Sequence, residues 1–411
     1  MVRTVLLLGA ESEVAERLAQ AADELDIRLH VATHRALYRN YGDALRNRLA
    51  GVVFTDFRIP LHALEQLTEH CVQGGVGGVG VSWKFLSPLG ALLASRLGLP
   101  GHDPAVAPAT RNKWLMAEAF RERGVPHPRT LAVPAPDAGI PAGSAAGLGY
   151  PLVVKPAESD GSVGVLPVDS PDDLAGTVRM AQRRRKSLPY GAPVDTTVLV
   201  QQHVEGASCG VVTAVHQGRF THLAILRNYT TTGRFREDTG RTMPAGFGLP
   251  TEALILSTVE SGLAALGLRD GVAHSDLRVT EAGPTVIAVD VGPPDVPTMQ
   301  AIELATGVNT AAVYLQTVLG ECPGTRPRRT DAAAIRFIST VRHGVFRGLE
   351  GLAQSPHVAL VRSYVQPGDL IGSAHRKYTR LGHVIVQAPS PDLADQRADA
   401  AIAGISSRVE P

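Results

Sequence analysis

The sequence predicts an α/β protein made of several compact units, and three observations support this. Its 411 residues are too many for one hydrophobic core, so two to four units are expected. Near the start of the chain, apolar runs of strand length alternate with helix-like segments, which is typical of a parallel sheet covered by helices on both faces. Farther along, paired β-branched runs are separated by short polar turns, which indicates antiparallel hairpins.

The composition is that of a soluble globular protein and argues against several classes of function. Hydrophobic residues make up 44% of the chain, charged residues make up 19%, and the formal net charge is +1. This balance provides no global field that would attract nucleic acid or an anionic membrane. The 3 cysteines lack a CxxC spacing, which favours a reducing, cytoplasmic setting. No signal peptide and no membrane span of ~18 apolar residues is recognised.

Residues 1–108 are predicted to form a domain around a parallel sheet. Strands and helices alternate there, with strands at 2–9, 28–33, 51–55 and 79–83 and helices at 10–25, 61–71 and 87–99. Gly9 is the only glycine of the first turn, so the GxGxxG fingerprint is absent and a nicotinamide-dependent enzyme is disfavoured. The glycine-rich segment 74–81 resembles a phosphate loop but precedes a strand, so it is interpreted as a flexible connection.

A basic residue marks the beginning of the next predicted helix. This helix is expected to run from its N-cap Thr110 to about Arg123, with Gly124 ending it. Lys113 lies in the first turn, where a positive charge opposes the helix dipole. The position indicates either a bound anion or an ordinary solvated lysine, and both interpretations stay open. Residues 134–146, rich in Pro, Ala and Gly, are interpreted as a linker.

The chain is predicted to be organised around residues 151–166, PLVVKPAESDGSVGVL. The segment is interpreted as a hairpin that puts Lys155 at the end of one strand, beside a loop containing Gly161 and Gly164. Backbone N–H groups of such a loop can close over phosphate oxygens, and the lysine adds a point charge. On this stretch alone, an ordinary hairpin with a surface lysine is an equally good interpretation.

A second predicted hairpin carries two carboxylates. Its strands, 271–280 and 284–292, alternate so that Asp276 lies on one face of the first and Asp290 on one face of the second. If these strands pair, the two side chains converge, and a carboxylate pair near lysine-held phosphates is what Mg²⁺ requires. The alternative is a pair of ordinary surface aspartates.

Other segments complete the predicted topology. We expect strands at 198–200, 209–218 and 220–229, a mobile loop at 230–241, helices at 172–185, 251–266 and 301–321, and a C-terminal α/β piece ending in a helix at 391–406.

Together these segments resemble the ATP-grasp superfamily and, within it, the carboxylate–amine ligases of the L-amino-acid ligase type. The resemblance covers nearly the whole chain and rests on the order and spacing of its motifs. These motifs are LGLPG, RNKWLMAEAFRERGVPHP, VVKPAESDGSVGV, LVQQHVEG, GRTMPAGF, ALGLRDGVAHSDLRVTEAGPTVIAVD, IELATGVN and RLGHVIV.

The resemblance implies an ATP-grasp architecture in four parts. An N-terminal Rossmann-like, pre-ATP-grasp domain would span 1–108, and a helical linker plus lid subdomain would span 109–205. The ATP-grasp core with the metal and substrate site would span 206–330, and a C-terminal α+β subdomain would span 331–411.

The resemblance also implies a nucleotide held between two subdomains, with ATP and Mg²⁺ as cofactors. Lys113 and Lys155 would hold the phosphates, and Asp276 and Asp290 would hold the metal. The remaining nucleotide contacts would come from a lid loop and from a hinge that meets the adenine: Ser159, Gly161, Ser162 and Gly164 in the loop, and Gln201, Gln202 and Val204 in the hinge.

The implied reaction converts a carboxylate to an acylphosphate, which an amine attacks to give an amide, ADP and phosphate. Such phosphoryl transfer needs positioning and charge neutralisation more than a covalent protein group. No Ser-His-Asp or Cys-His constellation is recognised in the sequence. The implied partners are small molecules, an amino acid and an amine or second amino acid, with no nucleic acid or membrane. A homodimer is expected only because such assemblies are common.

The sequence departs from the family pattern at several site positions. Ser208 stands where a glutamate usually meets the ribose, and Ala288 stands where a metal carboxylate is usual. Asp290 occupies the position of an asparagine, which restores the number of negative charges, so metal binding is expected to survive. Gly292 replaces an arginine that often clamps the substrate.

Two further departures lie on the substrate side. Asp238 and Arg241 stand where a glutamate and a histidine are typical. The guanidinium of Arg241 is expected to take over the binding of a substrate anion, because it grips carboxylates and phosphates in a two-point fashion.

Two functions from different classes remain. The first is an ATP-dependent ligase that forms an amide or dipeptide, α- or γ-linked, in specialised metabolism. The second is a catalytically reduced nucleotide-binding protein, which the changes at Ala288 and Gly292 favour. An ATP-grasp carboxylase or nucleotide-biosynthesis enzyme is disfavoured because no biotin-carrying lysine motif is present. The identity of the substrates lies in a pocket that a sequence does not display.

Overall fold

The computed structural model describes residues 3–10, 13–133, 145–159, 161, 164–183, 191, 194–232, 237–351, 357–372 and 379–411. Most of the predicted linker at 134–146, and Ser162 of the predicted lid loop, lie outside these residues. The described part contains four β-sheets. Each of its helices is too short or too polar to cross a lipid bilayer.

The N-terminal sheet is parallel, with the strand order β3-β2-β1-β4, which confirms the predicted class. Its elements are β1 (Arg3–Leu8), α1 (Glu13–Glu24), β2 (Ile27–Thr33), α2 (Arg35–Tyr38), α3 (Asp43–Arg46), β3 (Leu49–Phe54), α4 (Pro60–Gly74), β4 (Gly78–Val81) and α5 (Ser87–Leu97). Val5 and Leu7 of β1 pack in one hydrophobic cluster with α1, whereas Leu6 and Leu8 pack in another with α4 and α5. Helices therefore cover both faces of this sheet, as alternating side chains require.

The helix that carries Lys113, α6 (Lys113–Arg123), begins later than the sequence suggested. Its N-cap is Asn112 and not Thr110, because the Asn112 side chain accepts hydrogen bonds from the first backbone N–H groups of the helix. Thr110 instead ends a short 3₁₀ turn and donates its hydroxyl to the Ala107 carbonyl oxygen at 2.7 Å. Gly124 ends the helix in the left-handed conformation, as predicted.

The second sheet is antiparallel and contains the central hairpin. Its elements are β5 (Thr130–Val133), β6 (Leu152–Pro156), β7 (Leu166–Val168), α7 (Pro171–Arg183) and β8 (Val198–Gln202), with the strand order β5-β8-β6-β7. Leu152 pairs with Val168, so the predicted hairpin is present. Its second strand begins at Leu166.

The third sheet has eight strands and positions the predicted metal site. Its order is β13-β12-β9-β10-β11-β14-β18-β16. The elements from residue 207 onward are β9 (Ala207–His216), β10 (Arg219–Thr230), β11 (Asp238–Met243), α8 (Leu249–Ala265), β12 (Gly271–Thr280), β13 (Gly283–Val291), α9 (Val296–Thr306), α10 (Thr310–Val318), β14 (Ala332–Thr340), β15 (Gly344–Glu350), β16 (Val358–Ser363), β17 (Leu370–Ile371), β18 (Thr379–Ala388), α11 (Pro391–Ala403) and β19 (Ser406–Glu410). The small fourth sheet has the order β17-β15-β19.

Three predicted elements in this half were wrong. Residues 230–241 do not form only a loop, because β11 begins at Asp238 and pairs with β10 and β14. The predicted helix at 301–321 is two helices, since Gly307 ends α9 in the left-handed conformation and Asn309 caps α10. The last helix ends at Ala403, and β19 follows it.

The eight-stranded sheet bears on the predicted domain boundary at residue 330. Strands β9–β13 precede that boundary and β14, β16 and β18 follow it, yet all eight belong to one sheet. Strands β11 and β14 join the two groups by pairing Gly240 with Arg336. The division into four parts stays a prediction, with a continuous sheet across its last boundary.

Candidate functional site

Lys113 and Lys155 lie close together, on the first turn of α6 and at the end of β6. The backbone N–H of Lys113 donates to the Ala157 carbonyl oxygen at 2.9 Å, and its Nζ donates to the Ser159 carbonyl oxygen at 2.6 Å. Lys155 is only 5% exposed. Burial and, to a smaller extent, the charge of Lys113 lower the pKa of Lys155 to about 7, against the opposing effect of the Asp276 carboxylate. The three charged groups thus share one region between the second and third sheets.

The connection after β6 contains the predicted lid residues. Ser159 is buried, and Gly161 and Gly164 have φ values of 55° and 77°, in the region that favours glycine. Glu158 anchors this connection, because its Oε2 accepts from Nη2 of Arg111 at 2.5 Å and from the backbone N–H of Asp195 at 3.0 Å. One end of the connection is therefore fixed to Arg111, which precedes the N-cap residue of α6.

The predicted adenine hinge joins two sheets. Gln201 and Gln202 end β8, Val204 lies in the short connection, and β9 of the eight-stranded sheet follows with Ser208. The Gln201 side chain donates to the Thr130 hydroxyl at 2.8 Å, so it is used within its own sheet.

The hairpin of β12 and β13 brings Asp276 and Asp290 to one face. Asp276 pairs in register with Ala288, and His274 pairs with Asp290, so the two carboxylates lie diagonally across the strands. Although 49% of the Asp276 side chain is exposed, the surrounding protein raises its pKa. The charge of His274 lowers this pKa, and the negative charge of Asp290 raises it. Their diagonal register on one face of the hairpin is the arrangement in which both carboxylates could contact one ion.

His274 adds a nitrogen to this face. Its Nε2 lies 3.9 Å from Oδ1 of Asp276 and has no hydrogen-bond partner within the described part of the chain. The ring lies against Gly210 of β9, where an added Cβ would come within 2.7 Å of Nε2. The Nε2 of His274 is therefore an unpaired polar atom on the same face as the two carboxylates.

Lys84, which was not predicted from the sequence to belong to the site, lies in a short turn at Lys84–Leu86 after β4. Its Nζ donates to Oδ1 of Asp290 at 2.6 Å. Burial raises the pKa of Asp290, but the ammonium of Lys84 outweighs it and holds this pKa below its usual range. One signal was available, because ligands of open α/β sheets bind outside the carboxyl ends of the strands, and Lys84 follows such an end.

Arg241 is already bound to carboxylates of the protein. Its Nη1 donates to Oδ1 and Oδ2 of Asp295 at 2.9 and 2.8 Å, and its Nη2 lies 3.5 Å from Oδ2 of Asp238. Burial would lower the pKa of Arg241, but these carboxylates raise it, so the guanidinium stays charged although the residue is only 8% exposed. Asp295 therefore already occupies the Nη1 side of the Arg241 guanidinium.

Asp295 is a second residue that the sequence analysis missed. It caps the N-terminus of α9 by accepting from the backbone N–H of Thr298 at 3.1 Å. An aspartate directly before Val-Pro at a helix start is a recognisable N-cap signal. Through Asp295, Arg241 fixes the beginning of α9 beside the carboxylate face.

The donors on this face fit one Mg²⁺ better than a cluster of metals. In the described residues, no group of three or more His, Cys, Asp or Glu side chains is arranged to hold a metal ion. Asp276 and Asp290 are each about half exposed. Mg²⁺ suits such a site because it is commonly held by one or two carboxylates and keeps several water ligands.

The chain is similar to known proteins in sequence and in fold. Residues 148–298 match the model of the ATP-grasp domain, and residues 336–410 match that of the L-amino acid ligase C-terminal domain 2. The L-amino acid ligase from Bacillus licheniformis has the same fold, with a TM-score of 0.83 over 100% of this chain and 99% of that one at 20% identity.

The relatives that share sequence with the chain include two that match it to different extents. An uncharacterized protein of Sinorhizobium fredii is 28% identical over 398 residues, which cover 94% of this chain and 79% of the relative. A D-alanine–D-alanine ligase of Halorhodospira halophila is 29% identical over 174 residues, which cover 39% of this chain and 50% of that ligase. The second match spans only half of the ligase.

Proposed function

This chain belongs to the ATP-grasp superfamily, and from that premise we propose that it is an ATP-dependent ligase that couples an amino-acid carboxylate to an amine. The observation that carries the proposal is that Lys113, bound to the loop after β6, and the buried Lys155 lie near the face that carries Asp276 and Asp290. Phosphoryl transfer requires two kinds of group: positively charged side chains that bind phosphates, and carboxylates that bind a metal ion.

The nucleotide would lie between the antiparallel sheet of β5–β8 and the eight-stranded sheet. Lys113 and Lys155 would bind its phosphates, with the backbone of the loop at Ser159, Gly161 and Gly164 closing over them. The backbone at Gln201, Gln202 and Val204 would meet the base, and the hydroxyl of Ser208 would meet the ribose. Asp276 and Asp290 would hold Mg²⁺, which neutralises phosphate charge when it is bound.

The proposed reaction has two steps. A carboxylate oxygen of the first substrate attacks the γ-phosphorus, the bond to the β-phosphate oxygen breaks, and an acylphosphate and ADP result. An amine then attacks the acyl carbon, phosphate leaves with the bridging oxygen, and the nitrogen loses a proton to give the amide. Lys155 serves the first step because its burial beside Lys113 leaves a site of positive charge that a phosphate satisfies.

The substrate side of the site contains both an arginine and several aspartates. Asp238, Asp276 and Asp295 surround Arg241, so an amine that carries positive charge is electrostatically favoured there. Arg241 and Asp238 are proposed to contact the substrates, with Arg241 held in place by Asp295. A free amino acid supplies both the carboxylate and the amine that these charges suit, which supports dipeptide formation.

The proposal is tested by incubating the purified protein with ATP, Mg²⁺ and pairs of amino acids and amines. Phosphate should appear only when a carboxylate and an amine are both present, and mass spectrometry should find the amide in equal amount. ATP binding without phosphate release from any pair would refute the ligase.

A second candidate is a nucleotide-binding protein without ligase activity. It is favoured by Ala288, which carries no carboxylate opposite Asp276, and by the engagement of Asp290 with Lys84. This candidate predicts ATP binding that is indifferent to Mg²⁺ and no turnover. Calorimetric titration of ATP with and without Mg²⁺ distinguishes the two, because the ligase requires tighter binding with the metal.

A further inference from the structure

We infer that Lys84 takes the place of a second divalent cation beside Asp290, so that the nucleotide site holds one metal ion and one fixed ammonium group. The inference rests on the proposed nucleotide site, and it adds a residue from the N-terminal sheet to that site. Its starting point is the 2.6 Å contact between Lys84 Nζ and Asp290 Oδ1, which joins residues 206 positions apart.

The segment that carries Lys84 is held in place from several sides. Tyr314 of α10 accepts from the Val81 backbone N–H at 2.6 Å and donates to its carbonyl oxygen at 3.1 Å. Arg111 donates to the carbonyl oxygen of Phe85 at 3.1 Å, and the Phe85 side chain is buried. Only 16% of the Lys84 side chain is exposed. An ammonium fixed in this way is a built part of the site, unlike a solvated surface lysine.

The backbone opposite Lys84 leaves room for this approach. Gly292, directly after β13, has a φ of 123°, which an ordinary side chain rarely adopts. A Cβ there would already lie 3.4 Å from the Val81 carbonyl oxygen, so a long side chain would extend into the space shared with the Lys84 segment. The lack of a side chain at Gly292 therefore leaves the space that the Lys84 segment needs to reach Asp290.

The oxygen donors also favour a single metal. Two metals that clamp one phosphate group lie about 3.5–4 Å apart and need carboxylates that bridge or flank both. The cross-strand partner of Asp276 is the methyl group of Ala288, and one oxygen of Asp290 is bound by Lys84. Asp276 and the rest of Asp290 suffice for one ion with water ligands, but not for two. The ammonium of Lys84 supplies positive charge where the second ion would otherwise be.

The inference is tested by counting metal ions with Mn²⁺ and the β,γ-imido analogue of ATP, using equilibrium dialysis and electron paramagnetic resonance. The unaltered protein should bind one Mn²⁺ per bound nucleotide, without spin coupling. The variant Lys84→Met with Ala288→Glu should bind two, with the spectrum of a coupled pair. Lys84→Arg, which keeps the charge, should still bind one.

A single substitution provides a second test if the double variant does not fold. Lys84→Met removes one positive charge a few ångströms from the metal, so the affinity for Mn²⁺ should rise on the order of tenfold. Two Mn²⁺ ions in the unaltered protein, or unchanged Mn²⁺ affinity in Lys84→Met, would overturn the inference while leaving the ligase proposal intact. Failure to bind the nucleotide analogue at all would instead refute the proposed function and, with it, this inference.

Discussion

The Nζ of Lys113 donates to the carbonyl oxygen of Ser159 at 2.6 Å, which ties the first turn of α6 to the predicted lid loop. A lysine at a helix N-terminus is electrostatically unfavourable, and here a backbone oxygen partly compensates it. A phosphate oxygen in the same position would compensate it more completely, because the hydrogen bond would then be charge-assisted on both sides. The contact therefore places the loop beside the lysine that is proposed to bind a phosphate.

Replacing Lys113 should weaken nucleotide binding. Lys113→Ala removes a charged hydrogen-bond donor, which is worth roughly 1.5–3 kcal/mol, so the Kd for ATP should rise about 10- to 150-fold in calorimetric titrations. Arg121→Ala is the matched control, because Arg121 lies on the exposed side of the same helix and pairs only with Glu118 among the described residues. Equal effects of the two substitutions would show that Lys113 does not contact the nucleotide.

Lys155 should make ATP binding depend on pH. Burial lowers its pKa to about 7 in the nucleotide-free protein, whereas bound phosphates favour the ammonium and raise that pKa. ATP binding above pH 7 should therefore take up a proton, and the affinity should fall as the pH rises beyond about 7. Calorimetry at pH 8 in buffers of different ionisation enthalpy measures the uptake.

Two variants check the origin of this pH dependence. Lys155→Arg keeps the charge at all accessible pH values, so its proton uptake should vanish. Lys155→Ala should abolish ATP turnover. Proton uptake that persists in Lys155→Arg would assign the titration to another group.

Asp290 should set the metal dependence. Asp290→Asn removes a negative charge from the metal face and releases Lys84, so the Mg²⁺ concentration for half-maximal ATP turnover should rise about tenfold or more. Glu281→Gln, at the exposed turn of the same hairpin, should leave it unchanged. Full activity with an unaltered Mg²⁺ requirement in Asp290→Asn would mean that the metal is held elsewhere.

The pairing of β11 with β14 should be sensitive to a single methyl group. A Cβ at Gly240 would lie 2.2 Å from the Ile335 carbonyl oxygen, so Gly240→Ala should destabilise the protein by about 1–3 kcal/mol. Gly176→Ala is the control, because nothing lies within 4 Å of the added Cβ on α7, where alanine should add about 0.5–1 kcal/mol. Thermal unfolding followed by circular dichroism should show opposite shifts in Tm.

Much of the site could be predicted because it is local in sequence. The alternation of β12 and β13 was enough to bring Asp276 and Asp290 to one face, and the hairpin pattern was enough to put Lys155 at a strand end. Side chains repeat every 2 residues on one face of a strand and every 3.6 residues on one face of a helix, so a few residues of sequence specify which face each side chain occupies. The helix break at Gly307 was missed because apolar spacing continues through it, although a glycine followed by an asparagine cap is a stop signal.

Contacts between distant segments were not predictable in the same way. Lys84 reaches Asp290 only because the N-terminal sheet packs against α10 and β13, and no local pattern specifies that packing. Arg241 was noted in the sequence as a departure from the family pattern, but its bond to Asp295 depends on how α9 docks beside β11. Such contacts follow from the arrangement of whole elements, which a single sequence leaves open.

The most direct test of the proposed ligase follows an oxygen atom. The protein would be incubated with ATP, Mg²⁺ and a mixture of amino acids labelled with ¹⁸O in their carboxylates, and the released phosphate would be analysed by mass spectrometry. Formation of an acylphosphate predicts phosphate that carries one ¹⁸O atom, because the carboxylate oxygen leaves with the phosphoryl group. Phosphate without the label, or no phosphate at all, would contradict the proposal.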